Sequence, residues 1–250
     1  MGTSQSNPGP GGKSPLVPSW ADDMPETPLP PSPVARFKPF RENLGKFLSS
    51  GDKKDLANSL AHYVTKGTGG GEIAARRMGS VTKAGGGLFG FLNGKPTDGI
   101  EGNIDLAELS GLSCENAISK ISQALSTRDG DSDKIRASMN HALTEALDGV
   151  EIFDMNCITD EVIVATMIGY LAESIFLQIV MDAGKSWNKA ETPSQAIDAE
   201  NSLREVVKVI VDKKLFPKLT GSIRRLTPTQ VIILQREVIK ETWADWERFQ

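Results

Sequence analysis

Thr192-Pro193-Ser194-Gln195 and Thr227-Pro228-Thr229-Gln230 are the two stretches that decide the fold. Each is a helix start of the same design. Threonine stands where an N-cap oxygen is needed, and proline occupies the first helical position, where a missing N–H costs nothing. Glutamine follows where its side chain can reach back to close a capping box. The two starts predict helices running through Leu215 and through Phe249. On the second, Ile232, Ile239, Trp243 and Trp246 fall on one face at seven-, four- and three-residue steps, a stripe suited to burial.

Working outward, Thr159 predicts the cap of a third long helix, with Asp160 and Glu161 well placed on its dipole. Its segment 162–181 is apolar and about as long as a bilayer crossing requires. Glu173 sits in the middle of it, Gln178 follows, and neither an aromatic belt nor a flanking basic cluster is present. A helix apolar on nearly all sides also suits the centre of a bundle, and that is the expectation here.

The N-terminal half follows the same period. Phe37, Phe40, Leu44, Phe47 and Leu48 make one apolar stripe. Asp52 is placed to cap a helix carrying Leu56, Leu60, Tyr63 and Val64. A third stretch over 72–83 is bracketed by the glycine clusters Gly67–Gly71 and Gly85–Gly87, and the apolar run Leu88-Phe89-Gly90-Phe91-Leu92 comes after it. A loop through Gly94, Pro96 and Gly102 marks a possible subdivision near 93–103. Helices are expected near Asp105–Leu109 and over 113–125 and 133–147. No period-two segment of useful length occurs, so the fold class is all-α, a multi-helix bundle over 35–250.

Residues 1–34 differ. Nine of the fourteen prolines lie there, with Gly9, Gly11 and Gly12, so this part reads as a flexible, disordered Pro/Gly/Ser-rich tail. Within it, Pro15-Leu16-Val17-Pro18-Ser19-Trp20 is an apolar island on a proline-stiffened strip, fit to anchor in a groove of its own domain or of a partner.

Composition excludes more than it assigns. A net charge of −4 argues against nonspecific nucleic-acid binding. Two distant cysteines, Cys114 and Cys157, fit neither a disulfide framework nor a zinc site, and suit a cytoplasmic location. The first thirty residues are polar rather than a secretory leader.

The cluster Gly67-Thr68-Gly69-Gly70-Gly71 lacks P-loop spacing and suits a hinge or tight packing. Gly94-Lys95 is followed by Pro96 where a hydroxyl would be needed. Asp129, Asp131 and Asp133 alternate like a calcium loop, but Lys134 and Asn140 stand where glycine and glutamate belong, which leaves a solvated turn. His62 and His141 are isolated in helices. No catalytic residue, metal or cofactor is expected.

Gly2 is the exception. Met1 removal before so small a residue would expose an unhindered α-amine, with an unperturbed pKa near ~7.7–8.0 and hence partly neutral in the cytosol. Met1 to Ser6 also fits the short M-G-x-x-x-[ST] myristoylation pattern, against the bland alternative of an unmodified terminus.

Met1-Gly2-Thr3-Ser4, the stretch Pro8–Gly12, the island Ser14–Trp20 and Ala75-Arg76-Arg77-Met78-Gly79-Ser80 together resemble the QatB family. Those motifs cover about the first hundred residues; beyond them the likeness is helical character. The resemblance implies a bacterial, cytoplasmic subunit of the Qat anti-phage system. It implies as partners a QueC-like protein, QatC, a large ATPase and a TatD-like nuclease. QueC enzymes activate a deazaguanine carboxylate with ATP and pass it to an amine. Related proteins attach such a group to a partner's N-terminal glycine. The resemblance therefore makes Gly2 the modification acceptor, with Gly2, Thr3, Ser4, Leu16, Val17 and Trp20 as the tail's partner-binding residues. The alternative is a helical adaptor that docks through the Trp243/Trp246 face and uses the tail as a linker. Both readings are non-enzymatic.

Overall fold

Both capping boxes form. Thr192 and Thr227 each accept from the backbone N–H of the glutamine three residues on, at 3.2 Å, and each glutamine side chain accepts from the threonine N–H in return. The computed structural model describes residues 9–11, 14–22, 24–95, 108–221 and 223–249. Among the described residues there are nine α-helices and no strand: α1 (Lys38–Ser50), α2 (Lys53–His62), α3 (Gly71–Arg77), α4 (Gly79–Leu92), α5 (Cys114–Leu125), α6 (Ser132–Ala146), α7 (Asp160–Ala183), α8 (Pro193–Leu219) and α9 (Pro228–Glu247). The fold is all-α, as expected. Asp52 caps α2 through Lys54 N–H, and Thr159 caps α7 through Val162 N–H.

α7 lies at the centre, packed against α6, α8 and α4. It is long and apolar enough to cross a membrane, yet 83% of its apolar window is buried by the other helices. Each fully buried Ile or Leu on it stabilises the fold by about 1.5–3 kcal/mol, which accounts for a helix apolar on nearly all sides inside a bundle. Glu173 is buried there too, forked by Arg204 at 2.9 and 3.2 Å.

The glycine-flanked third stretch is corrected in detail. It is two helices broken at Met78, and Gly85–Gly87 with the run 88–92 belong to α4 itself. Glycine disfavours a helix interior by roughly 1 kcal/mol relative to alanine, but packing overrides that cost. A Cβ on Gly85 would stand 2.2 Å from Gln235 Oε1, and one on Gly86 would stand 2.6 Å from Ile232. These glycines let α9 lie directly on α4. Leu215 is likewise not the end of α8, which continues through Pro217 to Leu219. The turn at Asp129–Asp133 is not freely solvated, because Asp131 is buried and receives Lys134 Nζ at 2.9 Å. The helix expected near Asp105–Leu109, and the loop and subdivision through Pro96 and Gly102, lie mostly outside the described residues.

The aromatic stripe of α9 faces inward. Trp243 and Trp246 are buried with ring centroids 5.4 Å apart, Ile239 is buried, and Ile232 is half-buried over α4.

Candidate functional site: an arginine-clasped strap

Residues 9–36 form neither helix nor strand over their described part, as their prolines dictate. The segment expected to be a flexible tail is packed along the helical body there. Leu16 and Val17 are buried, with the Leu16 methyls against Gly69, while Trp20 remains 52% exposed. The Trp20 ring lies on Gly130, at whose position a Cβ would come within 2.6 Å of it. The apolar island therefore anchors on its own domain.

A strap with so little apolar surface needs polar anchors, and arginines supply them. Arg76 and Arg77 are adjacent on α3, and the ~100° between successive helix residues sends them opposite ways. Arg76 turns outward to the strap. Its Nε and Nη2 donate to the two carboxylate oxygens of Asp22, the second at 2.7 Å. It also donates to the backbone carbonyls of Thr27, at 2.8 Å, and Met24. Ser80, one turn on, donates to the Trp20 carbonyl at 3.2 Å. The hydrogen bonds from Arg76 hold the Asp22 carboxyl below the usual aspartate range, against a smaller opposing effect of burial.

Arg77 turns inward. It forks Asp182 near the end of α7 at 2.6 and 2.7 Å, and the Tyr63 hydroxyl donates to the same carboxylate at 2.9 Å. Burial works against the Arg77 charge, but Asp182, Tyr63 and Asp131 together outweigh it, so the guanidinium is held above its ordinary value. Burial, then Asp182, pushes the Tyr63 hydroxyl well above the phenol range. The residues form a closed, charge-matched knot, as a buried ion pair requires.

Arg41 joins the knot to the strap. Its Nε and Nη2 donate to the Asp182 carbonyl at 2.9 and 2.8 Å, satisfying an acceptor at a helix C-terminus, where cations are favoured. Nη2 also donates to the Pro10 carbonyl at 3.2 Å. Arg36 Nη2 donates to the Pro15 carbonyl at 2.8 Å. The strap's backbone is thus held at residues 10, 15, 20, 24 and 27.

Of the tail residues expected to act, Gly2, Thr3 and Ser4 lie outside the described residues. Leu16, Val17 and Trp20 are brought together on one run of strap, and a partner can reach the first two only if the strap lifts. The clasping arginines were missed as site residues. Their signal was present, since two of the sequence blocks that carry the family resemblance, 14–20 and 75–80, prove to be in contact through Ser80 and Trp20.

An all-helical body carrying an arginine-clasped N-terminal strap is the class of protein that fold and site define. A family model described as Qat anti-phage system associated protein QatB matches residues 69–246, and the chain belongs to that family. It is a component of the Qat anti-phage system. The matched span reaches through α9, well into the half where only helical character had been legible. No curated protein and no solved structure matches the chain.

Proposed function

We propose that this subunit presents its N-terminal tail to the QueC-like protein of the system, QatC, which acylates the Gly2 α-amine after removal of Met1. In such a step the amine attacks a carboxylate activated as its adenylate. An amide bond forms, AMP leaves with the bonding pair, and the nitrogen loses a proton. The subunit supplies the acceptor and its position, and no catalytic group.

The observation that carries this reading is the pinned strap. A tail with no role in position needs no clasp, yet Arg41 and Arg36 hold the backbone at Pro10 and Pro15. The clasp also shortens the reach. Thirty free extended residues would span on the order of 90 Å, whereas a tether of only seven steps, the number between Gly2 and Gly9, reaches no more than about 22 Å at the same rise per residue. An acceptor tethered that closely has a high effective concentration at a docked active site. The adaptor alternative loses its surface, because Trp243 and Trp246 are buried in the bundle.

Extending the N-terminus with a tag, or Gly2→Glu, which retains Met1, tests the proposal in a phage-challenge assay. Both should abolish protection while the circular dichroism of the helical body is unchanged. Full protection by both variants overturns it.

A further inference from the structure

The first described residues of the strap, Gly9–Gly11, border a groove of about 1330 Å³ whose other walls are α1 and the short 3-10 segment Gly184–Lys189. Arg36, Lys38, Arg41, Lys46, Lys185 and Lys189 line it, against the acids Glu42 and Asp55. Six cations less two anions leave a lining of +4 on a chain whose net charge is −4. The two lysine-bearing walls touch, since the Lys189 stem would meet a Cβ on Gly45 at 3.3 Å.

Some of these charges are occupied. Lys38 faces Glu42 at 3.8 Å, and Arg41 holds backbone carbonyls. Lys46, Lys185 and Lys189 are exposed, and none has an ion-pair partner among the described residues. Arg36 is only 4% exposed, yet its Nε and Nη1 have no hydrogen-bond partner. Exposed lysines are ordinarily a solvated face. Three unpaired ones line the same groove as a buried guanidinium with two unsatisfied donors, a positive lining that an acidic counterpart complements.

We propose that this groove is the docking surface for an acidic face of the protein that receives the tail. The inference rests on the tail-presentation reading and adds where the recipient sits. With the strap clasped, an active site that takes Gly2 lies within about 22 Å of Gly9, so its protein must cover the ground beside Gly9. The basic groove is that ground. Nucleic acid is the less fitting occupant, because Glu42 and Asp55 sit in the lining and the chain is acidic.

The test titrates the full chain against the purified QueC-like subunit encoded beside it, at low and physiological salt, with a 20-base-pair DNA duplex as second probe. The triple variant Lys46→Glu, Lys185→Glu, Lys189→Glu should bind the protein at least tenfold more weakly and lose most of the salt dependence. The neutral triple Lys→Gln should fall between, which keeps the test valid if charge reversal disturbs folding. Affinity within twofold of wild type for both triples overturns the docking surface, as does a loss confined to DNA. Intact mass of the wild-type chain recovered from the same complex separates the two readings, since docking and modification are then read on one protein. Docking that survives in a wild-type chain that is never modified would sink the tail reading and leave the groove standing.

Discussion

Arg76 grips both carboxylate oxygens of Asp22, 54 residues earlier in the chain, and the same guanidinium reaches the carbonyls of Met24 and Thr27. One side chain on a seven-residue helix thereby fixes four acceptor atoms of a strap that has little apolar surface of its own. Arg76→Ala should therefore free the strap without unfolding the bundle. Amide exchange across 14–31 should accelerate by roughly tenfold or more, as expected for loss of charge-assisted bonds. Asp22→Asn should do less, because the two carbonyl acceptors remain. Equal protection in wild type and Arg76→Ala would remove the clasp from the account.

Acid should release the same clasp. Clasped Asp22 titrates below the ordinary aspartate value of 3.8, so the released strap binds a proton more readily than the clasped one. Its contribution is then fully present above the ordinary value and is lost as pH falls through the lower, clasped one. Trp20 fluorescence should report strap release at that acid end, and the step should be absent in Asp22→Asn. A step near neutral pH would point to another group.

The knot at Asp182 behaves differently because it belongs to the core. Asp182→Asn leaves Arg77 buried opposite a neutral amide and weakens the Tyr63 bond. Breaking one side of a buried pair costs about 3–5 kcal/mol, so the midpoint of urea unfolding should fall sharply. A strap-only effect, with global stability unchanged, would show that the knot is not part of the core.

Trp246 is fully buried on Trp243, and its indole N–H has no hydrogen-bond partner. Trp246→Ala should cost about 3–5 kcal/mol of stability, while Trp246→Phe should cost much less, because it removes an unsatisfied donor along with some volume. Partner affinity per folded molecule should not change in either. Normal stability with a lost partner would restore the adaptor reading.

Much of this was legible in sequence for a physical reason. Capping boxes at Thr192 and Thr227 and the period of α9 are local features, and local features survive folding. Gly85–Gly87 could not be read as helix interior, because Gln235, Tyr170 and Ile232 crowd Gly85 and Gly86 from distant positions. The tail's composition predicted its lack of helix and strand. The island 15–20 was legible as an anchor, but the polar part of the attachment was not, because arginine-to-carbonyl bonds leave no mark in the strap's own residues. Arg76 and Arg77 stood out in the sequence only as members of the block 75–80. Their roles come from the ~100° between them and from partners 54 and 105 residues away.

The claim that Gly2 is where this subunit meets chemistry is tested most directly by intact mass. The untagged chain should be co-expressed with the other components of its Qat system, and its N-terminal peptide then mapped. The account predicts loss of Met1 and a single added mass, equal to a deazaguanine carboxylate less water, on the Gly2 nitrogen. That mass should be absent when the QueC-like gene is omitted. An unmodified Gly2 in a system that protects cells against phage would contradict it.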